Sequence, residues 1–271
     1  QSKEKNLCYP LGGMRSVPMA YLDALQSMGG ELRYSTPVER IVVEGGKVRG
    51  VEAGGFIPAD IVISNNGIKE TIALAGRHNF PDEYLTMADN LRLSFGAVSV
   101  KYALDTELVA SPLSCYFPDF RDKEKVDRQA AIFVPVPSAA DPGLAPPGCQ
   151  LVLAGSLAPP GLEEPEEAKA ICNEMLDRIE NTMQDLYPEI EEHVIWKIRT
   201  DTRYISEISG RWSGEVIGIA QNRHQVGKNR PASVTPVQGL YLVGADAGGR
   251  GVGTEMAADS ALNLWRMLRN A

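Results

Sequence analysis

The residues with the most chemistry in their spacing lie near the carboxyl end of the 271-residue chain: Gly244-Ala245-Asp246-Ala247-Gly248-Gly249-Arg250-Gly251-Val252-Gly253, five glycines in ten positions. With no Cβ in the way, such a backbone can come close to a bulky ligand. The run stands between a short apolar strand, 239–243, and a helix expected over 254–268, whose Met256, Ser260, Ala261, Leu264 and Leu268 fall on one stripe. A helix starting near Gly253 presents unpaired N–H groups and the positive end of its dipole, which favours a phosphate or a delocalised negative charge. Asp246 disfavours a second phosphate beside it and suits a hydroxyl donor, such as a ribityl or ribose group. The bland alternative is that the glycines form a tight strand-to-helix connection and nothing more.

The elements that must position this turn can be read upstream. Pro10-Leu11-Gly12-Gly13 is a turn, and Ser16 is expected to cap a helix that has Pro18 in its first turn and runs to Met28, with Met19, Leu22, Leu25 and Met28 on its apolar side. Gly29-Gly30 stops it. Runs 31–35, 38–44 and 47–53 read as three short strands, broken by Thr36-Pro37 and by Gly45-Gly46, in a small antiparallel meander. Ala59-Asp60-Ile61-Val62-Ile63-Ser64 reads as a buried strand that opens into Asn65-Asn66-Gly67.

The organisation changes after Leu74. A helix is expected after Phe80-Pro81-Asp82, then strands at 94–104, 131–136 and 151–156, with the Pro- and Gly-rich stretch 135–148 as a surface loop that excludes helix. A long helix follows Pro165, with Ala168, Ile171, Met175, Ile179, Met183 and Leu186 on one face and acids from Glu163 to Glu167 at its positive end. Pro188 ends it. A strand is expected at 192–200, and a Gly-punctuated turn with a short strand at 211–220.

Composition narrows the function classes. A formal charge of −8 disfavours binding to nucleic acid, whose non-specific affinity rests on clustered Lys and Arg. No apolar run approaches the roughly 18 residues of a membrane span, and Gln1 to Asn6 is polar where a signal peptide would be apolar. A cytoplasmic, at most membrane-peripheral, protein is expected. The four cysteines form no CxxC pair and read as buried free thiols, and the three histidines stand at no metal-ligand spacing, so no metal site is expected.

The segment Gly239-Leu240-Tyr241-Leu242-Val243-Gly244-Ala245-Asp246, with Gly248-Gly249-Arg250-Gly251-Val252-Gly253, is similar to the carboxyl-terminal FAD motif of the phytoene desaturase and amine oxidase superfamily. A second stretch resembles the same family: Tyr9-Pro10-Leu11-Gly12-Gly13-Met14, Gly30-Glu31-Leu32, and Thr36-Pro37-Val38-Glu39-Arg40-Ile41. The resemblance implies that Asp246 hydrogen-bonds the ribityl chain and that Gly253, Thr254 and Met256 lie at the helix end facing the isoalloxazine. It further implies that Val38 contacts adenine through its backbone and that Asn65 follows a strand of the dinucleotide-binding sheet. Gly244, Gly251 and Val252 complete the expected cofactor-binding set. Because hydride passes to the flavin itself, no catalytic acid or base is named.

One part of the family pattern is missing. No GxGxxG occurs, since Gly249-x-Gly251 is followed by Thr254 where a third glycine is required. The chain therefore reads as a carboxyl-terminal fragment that by itself binds FAD weakly or not at all. The expected fold is α+β, an incomplete α/β family fold: a partial FAD-binding domain (1–75 and 231–271) and a mixed-sheet substrate domain covered by helices (76–230). The expected function is FAD-dependent desaturation or saturation of a carbon–carbon bond in a hydrophobic polyene or isoprenoid-like substrate. A flavin amine oxidase is the alternative enzyme, and a Rab-escort or GDI-like binding module the non-enzymatic one. Self-association through an uncovered apolar face is a further expectation. His224 reads as a solvated loop histidine or, alternatively, as a catalytic or substrate-contacting group, Arg230 as a partner for a phosphate or carboxylate or as a structural ion pair, and Tyr116, Tyr204 and Trp212 as core or pocket lining.

Overall fold

The computed structural model describes residues 9–117, 131–159 and 165–270. They are helices and sheets in mixture, the α+β class expected, with three sheets among the described residues. The chain divides into two compact units: one takes in 1–34, 97–158 and 164–201, the other 35–96, 159–163 and 202–271. Compared with the expected division, 1–34 falls in the unit of the large sheet, and 76–96 and 202–230 fall in the unit of the glycine turn.

In the first unit, β5 (Gly96–Leu104), β6 (Leu113–Tyr116), β7 (Ile132–Pro135), β8 (Gln150–Ala158) and β9 (Val194–Thr200) form a five-stranded sheet in the order β6-β7-β8-β5-β9. The β6–β7, β7–β8 and β5–β9 pairs are antiparallel. Central strands β5 and β8 alternate buried and half-buried residues, as strands in the middle of a sheet should. The long helix α5 (Pro165–Leu186) packs on β8. Its buried residues are Cys172, Met175, Leu176, Ile179 and Met183, so the covered face is rotated from the expected one, and Leu186 is exposed. Edge strand β9 is largely solvent-facing, and its Arg199 reaches Asp177 at 2.6 Å and Glu180 at 2.8 Å on α5. Charge on an edge strand discourages pairing with other chains.

The structure departs from several of these expectations. Helix α1 (Ser16–Ser27) forms, but Ser16 is its first residue rather than its cap, donating from Oγ to the Gly13 carbonyl. None of its residues is buried, so its apolar positions do not face a core; Leu25 and Met28 are exposed. Residues 31–35 are not a strand; the backbone there makes no ladder, and Arg33 pairs with Glu31 at 2.8 Å. The stretch 135–148 does contain helix, α4 (Pro137–Ala140), because Pro137 occupies the first helical turn, where a missing N–H costs nothing. The acids Glu163 and Glu164 lie outside the described residues, as does Cys8. Cys172 is buried, whereas Cys115 and Cys149 are half-buried.

In the second unit, β1 (Arg40–Glu44), β2 (Lys47–Glu52) and β3 (Phe56–Pro58) form the antiparallel meander, joined at Gly45-Gly46. The third strand is therefore 56–58, after the Gly54-Gly55 turn, and not 31–35. β4 (Val62–Ser64) pairs in parallel with β10 (Leu240–Leu242). Helices α2 (Ile68–Ala75), α3 (Asp82–Asp89), α6 (Thr202–Ser209) and α7 (Thr254–Arg269) complete it. The core gathers Ile41, Val48, Ile68, Ile72, Ile219, Leu240, Leu242 and Ala247. Helix α6 was not expected, and the strand expected within 211–220 is only a single bridge, Leu93 to Ile219. Glycines 210, 214 and 218, all at positive φ, keep that segment from extending. No helix of the described residues is long and apolar enough to cross a membrane.

Candidate functional site

Parallel strands β4 and β10 lie in register, Leu240 beside Val62, Tyr241 beside Ile63 and Leu242 beside Ser64. Both end on the same side, one running through Asn65-Asn66-Gly67 into α2 and the other through the glycine turn into α7. Loops that diverge from the carboxyl ends of neighbouring parallel strands leave a crevice, the usual place for a ligand in such sheets. The two loops touch: a Cβ built on Gly244 (φ +98) would land on the Asn65 side-chain oxygen. The Gly244 N–H donates to Ser260 Oγ at 2.8 Å, and that hydroxyl donates on to the Ala257 carbonyl at 2.7 Å, so the start of the turn is pinned to α7. Ser260, foreseen only as part of an apolar stripe, is fully buried in that role. Ala261, placed on the same stripe, is exposed.

Beyond Ala247 the turn lies against α7. A Cβ on Gly249 would sit 2.9 Å from the Met256 carbonyl, while Gly251 and Gly253 have φ of +91° and +58°. Gly253 occupies the N-cap position of α7 but has no side chain to cap it, and the first N–H groups of the helix, those of Thr254 to Met256, have no intrahelical acceptor. Glu255 already places one negative charge in that first turn. Of the residues expected to meet a cofactor, Asn65, Gly251, Val252 and Thr254 are exposed at these strand ends, and Gly244 is buried beneath them. Met256 is buried as well, only 3% exposed, so its side chain belongs to the core and only its backbone reaches the helix end. Val38 stands just ahead of β1 and is exposed.

Asp246 points inward and is 2% exposed. Its Oδ1 accepts the Ile219 N–H at 2.8 Å; its Oδ2 accepts the Ile68 N–H at 3.1 Å and Arg211 Nη1 at 3.1 Å. Arg211 also stands 3.5 Å from Glu215, whose side chain is buried. Glu215 Oε2 accepts from Ser213, while Oε1, the atom facing Arg211 at 3.5 Å, has no hydrogen-bond partner among the described residues. Burial pushes the Glu215 carboxyl above the ordinary range, against backbone N–H donors at Glu215 and Ser213 and the charge of Arg211, with the charge of Glu70 adding a little to the rise. Arg230, 5% exposed, donates to the Ala245, Gln225 and Ile219 carbonyls and forms no ion pair among the described residues. Desolvation lowers its affinity for its proton, opposed by the charge of Asp246. Arg211, Glu215 and Ile219 carried no sequence signal, because their roles depend on a fold that brings 211–219 to the turn.

The Glu215 arrangement has a pH consequence. A carboxyl whose folded pKa is raised binds its proton more tightly when folded, so stability falls as pH rises from the ordinary carboxylate range to the raised value. Glu215→Gln is expected to match the parent near pH 4 and to exceed it by about 1 kcal/mol near pH 7, the scale of one relieved buried polar atom. Urea unfolding across pH 4 to 8 checks this; equal stabilities at every pH would refute it.

Elsewhere in this unit, His224 is exposed beside Arg223 at 2.9 Å, and Tyr204 and Trp212 are exposed rather than core. In the first unit, the Tyr116 hydroxyl meets that of Tyr187 at 3.2 Å. A polar cleft of about 390 Å³ flanks α7, walled by Arg250, Asp259, Asn263 and Arg266 with Gly227, Gly248 and Gly249. Among the described residues no group of three His, Cys, Asp or Glu could hold a metal ion.

Residues 1–263 match the family model described as flavin containing amine oxidoreductase. The chain belongs to this family. Among family relatives, the chloroplastic prolycopene isomerase of Daucus carota is 25% identical over 257 residues, covering 87% of this chain and 40% of that protein. The neurosporene-forming phytoene desaturase of Rhodobacter capsulatus is 27% identical over 270 residues, covering 90% and 50%. The chain thus spans about half the length, or less, of these curated relatives. In fold it resembles an oxidoreductase from Methanosarcina mazei (TM-score 0.69, 23% identity, 95% of this chain and 55% of that one). It also resembles a putrescine oxidase variant from a redesign of cofactor binding (TM-score 0.61, 15% identity, 96% and 54%). The glycine turn, the free N–H groups at the start of α7 and the paired strand ends offer backbone approach and a positive helix end, a chemistry compatible with the flavin that the family description names.

Proposed function

We propose that the whole protein is an FAD-dependent oxidoreductase acting on a carbon–carbon bond of a hydrophobic, polyene or isoprenoid-like substrate. The observation that carries the flavin reading is the juxtaposition of an uncapped helix end with a glycine turn at the carboxyl ends of paired parallel strands. When bound, FAD supplies the hydride chemistry. The chain's own part is to hold it: the α7 terminus at Gly253, Thr254 and the Met256 backbone favours negative charge, while Gly244, Gly251 and Val252 let the backbone approach closely. Asn65 lines the neighbouring loop, and Val38 offers backbone contact from the meander. The names of the prolycopene isomerase and phytoene desaturase relatives support the polyene class over an amine. So does an aromatic content of 7%, low for the aromatic cage that an amine cation would meet.

The whole protein is expected to purify yellow, with a flavin absorption spectrum and one FAD per chain. A colourless protein that takes up no FAD would overturn the proposal. The 271-residue chain alone is expected to bind FAD no tighter than micromolar, and sub-micromolar binding in a fluorescence titration would contradict that part.

A further inference from the structure

We infer that Asp246 is a positioning residue, a buried clasp that sets the shape of the glycine turn, rather than a group presented to a ligand. Three donors already occupy its carboxylate, from three different segments: the Ile68 N–H at the start of α2, the Ile219 N–H, and Arg211 Nη1. The first of these segments follows β4, and Asp246 itself follows β10. One side chain therefore ties together the two loops that leave the parallel strands and adds the 211–219 segment to them.

The surroundings are built for this carboxylate. At 2% exposure it is cut off from water, and the charge is balanced by Arg211 at 3.1 Å and, through space, by Arg230. Arg230 grips the backbone on both sides of the clasp, at the Ala245 and Ile219 carbonyls. The Gly218 backbone comes so close that a Cβ there would collide with Asp246 Oδ1. Backbone N–H groups on an ionised acceptor make strong, directional bonds, so the carboxylate fixes Ala245 and Ala247 as well as itself. Oδ1 keeps one acceptor position, but at 2% exposure the carboxylate lies behind its three donors and is not presented to a ligand at the surface. The consequence for binding rests on the flavin reading above: without the clasp, Gly244 to Gly253 become disordered and flavin binds more weakly, although the Asp246 side chain itself does not touch the flavin.

The decisive experiment compares Asp246→Asn, Arg211→Met and the double variant, first without cofactor. In the 271-residue chain, Asp246→Asn is expected to lower the melting temperature and to raise amide hydrogen exchange at Ile68 and Ile219 at least tenfold. Failure of this variant to fold carries the same meaning, because a residue used only to touch a ligand is dispensable to the unliganded chain. In the whole protein, held well below its melting temperature, each single variant should weaken FAD at least tenfold, and the double variant should be no worse than Asp246→Asn alone. Unchanged exchange and melting in Asp246→Asn, or FAD binding unaffected or tightened by Arg211→Met, would overturn the inference. If the unaltered whole protein binds no FAD, the flavin reading fails, and the exchange measurement still decides the clasp.

Discussion

Gly218→Ala is expected to destabilise the chain by about 3 kcal/mol, from left-handed backbone strain of roughly 1–2 kcal/mol and a disrupted buried hydrogen bond of roughly 1–3 kcal/mol. Gly218 has φ +73°, and its missing Cβ points at Asp246 Oδ1, the atom that accepts from Ile219. The backbone must move or the carboxylate must. A control separates the two contributions: Gly227 has φ +59° and open space where its Cβ would lie. Gly227→Ala should therefore show the backbone strain alone. Urea denaturation of both variants checks the difference, and equal losses would mean that the approach to Asp246 contributes nothing.

Arg230→Met is expected to cost about 3–5 kcal/mol, the scale of three buried carbonyls losing a charged donor. Methionine fills much of the same volume, so the loss is one of donors. The carbonyls of Ala245, Gln225 and Ile219 would all lose the guanidinium that they share, and each buried carbonyl left bare costs roughly 1–3 kcal/mol before relaxation. Arg230→Lys retains the charge but replaces a planar fork with a single point of donation. An intermediate loss of about 1–2 kcal/mol is expected for it, since one carbonyl at least can still be met. Equilibrium unfolding gives the comparison. If Lys and Met variants lose equally, charge is irrelevant and the fork is everything; if neither loses stability, the carbonyls are satisfied in some other way.

Both Gly218 and Arg230 owe their roles to tertiary contacts that no local pattern of residues encodes. Arg230 stood out as a cation beside a proline, with a phosphate, a carboxylate or an ion pair as its partner. The fold gives it backbone carbonyls instead. A guanidinium seeks acceptors of any kind, and only the three-dimensional path of 219, 225 and 245 decides which ones are present. Likewise, the expected stripe on α1 has the spacing of a buried face, yet its Leu25 and Met28 are exposed. Periodicity reports that a face is apolar and says nothing of whether anything covers it.

The sequence by itself determined the local signals: the strand, glycine turn and helix at 239–269, the Gly45-Gly46 hairpin, the long helix after Pro165, and the family resemblance carried by two separated motifs. These are written in side-chain period and in glycine's unique access to positive φ, both properties of a few adjacent residues. Only the tertiary structure decided that β4 and β10 lie side by side, that Ile68, Arg211 and Ile219 converge on Asp246, and that the acid faces inward. The physical reason is that the preference of a carboxylate for donors is satisfied equally well by a ligand hydroxyl, a backbone N–H or an arginine. Which of them occupies it depends on contacts up to 178 positions apart in the chain, and no window of sequence contains those contacts.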